Sequence, residues 1–170
     1  ARVRTLCAVE PAVSWSIIAI TFTNKAAGEL KERLERMLGP SALDVWASTF
    51  HSACVRILRR DMEKLGEGFT NSFTIYDTED SKRVVKDVLK ELKLEEKEFP
   101  LRAVLSHISA SKDQNESLEE FRERMESTND WRLLRFAKIY EGYQRRLRDA
   151  NALDFDDIIL HTVHLLQKNK

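Results

Sequence analysis

The stretch Ile17-Ile18-Ala19-Ile20-Thr21-Phe22-Thr23-Asn24-Lys25-Ala26-Ala27 constrains the fold more than any other part of the chain. It opens as a continuous apolar run and passes through a polar turn into a helical pattern. Ala27, Leu30, Leu34 and Met37 or Leu38 share one face of that pattern, with Glu29, Lys31, Glu32, Arg33, Glu35 and Arg36 largely outside it. A short apolar run bounded by a turn suits a buried strand, and a period of about 3.6 suits a helix. The turn between them is the chemically useful part. A helix N-terminus leaves backbone N–H groups unpaired at the positive end of the dipole, a setting that favours phosphate. Thr23 and Asn24 can cap the helix or bond a ligand, and Lys25 adds a cation. Phe22 stands where the strand leaves the sheet and can face either the core or a ligand.

A second copy comes next. Val45-Trp46-Ala47-Ser48-Thr49-Phe50 reads as a strand and His51-Ser52 as a turn. The helix after it carries Val55, Leu58 and Met62 on one face and Arg56, Arg59 and Arg60 outside. If the strands are parallel neighbours, the fold class is α/β and both turns lie at one sheet edge, where open α/β sheets bind ligands. Two Phe rings, hydroxyls and helix N-termini along one edge suit a single-stranded nucleic acid, with rings stacking on bases and N–H groups holding phosphates. The competing reading makes Phe22 and Phe50 core residues at strand ends, since aromatics dominate cores.

Ala19 to Ala27 resembles motif Ia of the UvrD/Rep/PcrA family of superfamily 1 DNA helicases, and Thr49-Phe50-His51-Ser52 resembles the family's next single-stranded DNA motif. Phe73-Thr74-Ile75-Tyr76-Asp77 and Asn151-Ala152-Leu153-Asp154-Phe155-Asp156-Asp157 resemble further landmarks in the same order. The resemblance runs from about Ile17 to the C-terminus. It implies a partial RecA-like parallel sheet with an inserted all-helical subdomain: 1–60 as part of motor domain 1A, 61–150 as subdomain 1B, and 151–170 as a helix returning to 1A. It implies DNA-binding roles for Phe22, Thr23, Asn24, Lys25, Thr49, Phe50 and His51. The implied partners are single-stranded DNA, a duplex junction and the remaining helicase domains (the rest of 1A, 2A and 2B). DNA repair is the usual family setting, though nothing in these residues selects it over replication.

An ATP-driven helicase needs a phosphate loop, GxxxxGK[ST], and an acidic residue holding magnesium. Neither motif occurs in these 170 residues. In the family the first lies just before a stretch like this one and the second a little after it. The chain therefore reads as an interior fragment with no catalytic, cofactor-binding or metal residues of its own, and ATP and magnesium belong to the parent protein. Two other classes compete: a non-enzymatic nucleic-acid-binding module derived from a helicase, and a helical protein-interaction adaptor.

The rest of the sequence sets bounds. The chain is 42% hydrophobic and 33% charged with 5 Gly and 3 Pro, an ordinary helix-rich globular balance. Net charge is +0, yet residues 1–60 hold nine Lys and Arg against five Asp and Glu, so the segment with both turns is the basic one. Cys7 and Cys54 show no CxxC spacing, which suits reduced thiols and a cytoplasmic location. The run Ala12–Phe22 is too short and polar to span a bilayer, so no membrane partner is expected. His161 and His164 are three apart, but no nearby carboxylate or Cys completes a zinc pattern, so they read as surface or half-buried residues. Residues 1–16 are the least legible. Arg2-Val3 resembles the residues just after the family's phosphate-binding Lys-Thr, and Glu10-Pro11 interrupts the helix expected there.

From Asp61 onward helical faces dominate. Asp77 or Thr78 is expected to cap a helix with Val84, Val85, Val88, Leu89 and Leu92 inside. Pro100 suits a first helical position, ahead of Leu101, Val104, Leu105 and Ile108. Ser117-Leu118-Glu119-Glu120 is a capping-box pattern before Phe121 and Met125. Asn129 or Asp130 starts a longer helix with Trp131, Leu134, Ala137, Ile139 or Tyr140, Tyr143 and Leu147. Asp154 starts the last, with Asp156 and Asp157 in its first turn, where carboxylates favour the dipole. Phe155, Ile158, Ile159, Thr162, Leu165 and Leu166 form its expected buried side. A magnesium site at the three aspartates is the weaker reading, since capping alone places Asp there. Exposed strand edges imply self-association.

Overall fold

The computed structural model describes residues 13–128 and 130–168. The readings placed on Arg2-Val3, Cys7, Glu10-Pro11 and Asn129 lie outside them. The described chain is mostly helical with two small parallel sheets, and it divides into two compact units, Ala1–Arg56 and Ile57–Lys170.

In the first unit, a single 3-10 turn at Ser14–Ser16 leads into β1 (Ile18–Thr21), which pairs in parallel with β2 (Trp46–Thr49). The register runs from Ile18 opposite Trp46 to Thr21 opposite Thr49. Between the strands lie α1 (Asn24–Leu38) and a 3-10 segment, Gly39–Asp44. Gly39 ends α1 at φ 60, a conformation that costs a glycine little. One face of the sheet is closed by Leu34, Ala42, Val45 and Ala47, with Ile17, Ala19, Leu30 and Leu38 packed around them. Strand alternation turns Ile18 and Ile20 to the other face, where they are 52% and 48% exposed. The apolar run suggested a buried strand; the structure covers only one of its faces, because the connection between β1 and β2 supplies a single helix.

The second strand differs from expectation in its exit. His51-Ser52 is not a turn: α2 (Phe50–Asp61) starts directly after Thr49. The Thr49 hydroxyl makes this possible by accepting the Ser52 N–H at 3.3 Å, the bond an N-cap side chain supplies.

In the second unit, a 3-10 segment (Met62–Leu65) and a glycine-flanked loop lead to β3 (Thr74–Ile75). Five helices come after it: α3 (Thr78–Glu91), α4 (Leu101–Asp113), α5 (Leu118–Ser127), α6 (Trp131–Asp149) and α7 (Phe155–Lys168). Local chemistry accounts for the starts. Asp77 and Asp80 form a capping box on α3, and Ser117 and Glu120 form one on α5. Asp130 caps α6, and Pro100 stands at the N-cap of α4, one residue earlier than its expected first helical position. Before α7 the chain forms β4 (Ala152–Leu153), which pairs in parallel with β3. Asn151, at φ 47, clasps the base of this pair: its Oδ1 accepts the Thr70 N–H and its Nδ2 donates to Thr70 Oγ1.

The core of this unit joins α3 to α6 through Val85, Val88, Leu89, Phe99, Val104, Ile108, Phe121, Ile139, Tyr143 and Leu147. Phe121 meets Tyr140 edge-on at 5.1 Å and Phe99 meets Phe136 at 5.8 Å, geometries aromatic quadrupoles favour. Trp131, Phe155 and Leu166 were expected inside; all three are exposed. The residues that take their place on α7 are Asp157 and His161, both buried.

Asp157 is buried because Lys112 is buried with it. Lys112 is 3% exposed, and its ammonium lies 2.6 Å from Asp154 and 2.7 Å from Asp157. Tyr143 donates its hydroxyl to Asp154 at 2.8 Å, and Gln144 donates to Asp157. The two aspartates also form a reciprocal box on α7, each carboxylate accepting the other's backbone N–H. Burial by itself would lower the Lys112 pKa, but Asp157 and Asp154 more than reverse this and raise it. Burial pushes the Asp157 carboxyl up, whereas Lys112 holds Asp154 below its ordinary range against the same burial. Two of the three aspartates of the magnesium reading are thus committed to a lysine.

Candidate functional site

The edge at the C-terminal ends of β1 and β2 is built by the sheet register. Thr21 lies opposite Thr49, so the next residues, Phe22 and Phe50, leave neighbouring strands at equivalent positions. Parallel strands run about 4.8 Å apart, which fixes the two exits side by side. Phe22 is 96% exposed and Phe50 41%. Phe22 is therefore no core residue within this unit, and its ring offers both faces to solvent.

After Phe22 the chain turns into α1. Thr23, in an extended conformation, accepts the Ala26 N–H on its hydroxyl at 3.1 Å, and Thr21 donates its hydroxyl to the Thr23 carbonyl. The helical ladder begins with the Ala27 N–H on the Thr23 carbonyl. The N–H groups of Asn24 and Lys25 come before that ladder and sit at the positive end of the helix dipole. Asn24 and Lys25 are exposed, as is His51 in the first turn of α2. Thr49 differs from the other six expected residues. It is buried, and its hydroxyl donates to Ser52 Oγ at 2.8 Å while accepting the Ser52 N–H. It shapes the start of α2 rather than facing outward.

The edge is a ridge, not a cavity. A hollow of about 510 Å³ in the same unit is lined by Trp15, Leu43, Trp46 and Arg56 among others and includes none of the seven residues. Arg56 stacks over Trp46 at 4.6 Å within it.

Sequence reasoning missed two constellations in the second unit. Lys112 drew no reading from the sequence, since nothing local announces its partners on α7. Likewise His161 and His164 gain a carboxylate from afar: Glu67 Oε2 lies 3.0 Å from His161 Nδ1 and Glu67 Oε1 lies 3.6 Å from His164 Nδ1. A Gly-Glu-Gly triplet was the available signal, since Gly66 and Gly68 both take positive φ and fix the carboxylate between them. No helix among the described residues is long and apolar enough to cross a membrane.

Comparison with known proteins concerns the chain as a whole. Residues 1–170 match the profile of the UvrD/REP helicase N-terminal domain. Over 167 residues the chain is 44% identical to the ATP-dependent DNA helicase PcrA of Bacillus subtilis, covering 98% of this chain and 22% of that protein. Over 154 residues it is 44% identical to the PcrA of Staphylococcus epidermidis and 43% identical to that of Staphylococcus aureus, covering 91% of this chain and 20% of each. The chain spans about a fifth of the length of these curated relatives.

Proposed function

The chain belongs to the UvrD/REP helicase family, and on that premise we propose that it supplies the single-stranded DNA edge of an ATP-dependent DNA helicase. In this reading residues 1–60 contribute part of the RecA-like motor domain 1A and 61–150 the helical subdomain 1B. Residues 151–170, of which 151–168 pack within the second unit, lead back to 1A. Phe22 and Phe50 stack on bases. Thr23, Asn24 and Lys25 meet phosphate at the start of α1, with His51 doing so at the start of α2 and Thr49 holding that start in place. ATP and magnesium act elsewhere in the parent protein, because this chain carries neither a phosphate loop nor an acidic strand end. The duplex junction and domains 2A and 2B are the further partners of that protein. Family membership favours this reading over a stand-alone binding module or an adaptor.

The observation that carries it is the pair of register-equivalent Phe residues, one of them almost wholly in solvent. A large ring held outside a core at a helix N-terminus has a ready use as a base platform. Fluorescence-anisotropy titration of a labelled single-stranded oligonucleotide tests it. Phe22→Ala is expected to weaken binding about tenfold, the loss of one stack at ~1–3 kcal/mol, with the melting temperature unchanged. A variant that melts early but binds normally when folded overturns the platform. Calorimetry with ATP and magnesium tests the other half, and micromolar binding by this chain would overturn it.

A further inference from the structure

We propose that Glu67, His161 and His164 form a binding site for a divalent transition cation of the zinc class, clamping the loop after Met62–Leu65 to α7. The three side chains offer ligand atoms that lie within 4.8 Å of one another. Helical spacing puts His161 and His164 on one side of α7. The two positive-φ glycines hold Glu67 against them, with its oxygens 3.0 and 3.6 Å from the two Nδ1 atoms. Zinc bonds of about 2.0–2.2 Å at tetrahedral angles separate ligand atoms by roughly 3.3–3.5 Å. The two Glu67–His distances, each to a different carboxylate oxygen, lie on either side of that edge, and the set of three, spread over as much as 4.8 Å, contracts around a bound ion.

Two further observations distinguish the site from an ordinary ion pair. His161 is 7% exposed, and its Nδ1 is buried without an aligned hydrogen bond although a carboxylate oxygen stands 3.0 Å away. A buried nitrogen and a carboxylate oxygen this close but misaligned suit two groups that can share a cation. His164 Nε2 lies 2.9 Å from Asn115 Oδ1. An amide oxygen only accepts, so Nε2 is the donor here, and in the neutral ring that tautomer leaves the Nδ1 lone pair facing the cluster. This is the outer partner that orients a metal-bound imidazole. A cavity of about 220 Å³, bordered also by Tyr140 and Gln144, opens on the cluster and leaves room for water as a fourth ligand. Two imidazoles and one carboxylate suit zinc, cobalt or nickel, whereas magnesium and calcium prefer all-oxygen shells.

The seam is already drawn together without metal, since Lys168 donates to the carbonyls of Lys64 and Leu65. A cation held here binds the folded chain and not the unfolded one, and so raises its stability. The test is calorimetric titration of zinc chloride into the 170-residue chain in a non-chelating buffer near pH 7.5, with thermal melts in parallel. Expected are one site per chain and a melting temperature that rises with zinc. Glu67→Gln and His164→Ala are each expected to weaken binding at least about tenfold. His164 is partly exposed, so its variant keeps the fold testable. Equal zinc affinity in wild type and both variants would mean that other histidines bind it, and overturns the proposal. So does a melting temperature that zinc leaves unmoved, or one that magnesium raises equally.

Discussion

The two units handle most of their aromatic side chains in opposite ways, Trp131 and Phe155 of the second being exposed exceptions. In the second, Phe69, Phe73, Phe99, Phe121, Tyr140 and Tyr143 are buried. In the first, Trp15, Phe22 and Phe50 are exposed, and the isoleucines of β1 are about half exposed. The first unit has one helix over one face of a two-stranded sheet, while the second wraps its helices around a shared core and buries an ionic cluster inside it. Aromatic content therefore says little about function by itself. Position decides instead: Phe121, Tyr140 and Tyr143 sit at core-facing positions of helices and Phe69, Phe73 and Phe99 in buried connecting segments, whereas Phe22 and Phe50 sit where strands end and helices begin.

The sharpest way to break this contrast is to remove the charge at the centre of the second unit. Lys112→Met leaves two buried carboxylates without their cation and is expected to destabilise that unit by about 3–5 kcal/mol, read by urea denaturation. The change should depend on pH with a definite sign. Asp157 is already raised by burial and rises further without Lys112, and Asp154 loses the cation that holds it low and rises too. The folded variant then binds more protons than the unfolded chain, so it gains stability from pH 7 to 5 relative to wild type. A variant as stable as wild type at both values would show that the cluster is dispensable. Phe73→Ala, at a fully buried ring, is expected to cost about 3–5 kcal/mol of stability. Phe22→Ala should leave the melt unmoved and weaken the oligonucleotide complex by ~1–3 kcal/mol. If these two ring deletions behave alike, the distinction between the units fails. Removing a cap is a smaller perturbation. Ser117→Ala is expected to cost ~1 kcal/mol, with local amide exchange in α5 rising most. Smallest in free energy is Lys25→Ala, expected to reduce the salt slope of DNA binding by about one ion. An unchanged slope would detach Lys25 from the phosphate path.

Much of this was legible from local chemistry. The two strand-to-helix passages, apart from the expected turn at His51-Ser52, the Ser117 capping box, the Asp77 cap and the apolar faces of α3, α4 and α5 are set by period and cap residues. The failures have a common physical cause in long-range partners. Strands of two residues carry no alternation to read, so the β3–β4 pair was invisible until the chain folded back. A lysine in a helix reads as solvated unless its carboxylates are known to arrive from another helix. His161 and His164 read as incomplete because Glu67 joins them only through the tertiary fold. For the edge, the sequence left Phe22 open between core and ligand. The backbone register resolved its exposure, because a residue one step past a paired threonine has no strand neighbour to pack on.

The Asn151–Thr70 clasp has an engineering consequence. Chain leaving β3 and chain arriving at β4 meet at one short parallel pair, so everything between them starts and ends at one stem. Closing a loop costs only about 0.6 kcal/mol more for each doubling of its length. The stem is therefore nearly indifferent to the length of what it carries, so segments between Thr78 and Asp149 can be lengthened where Lys112, Tyr143 and Gln144 keep their places against α7. The lengthened chain must keep a residue at 151 that tolerates positive φ and reaches back to residue 70, as Asn151 does here.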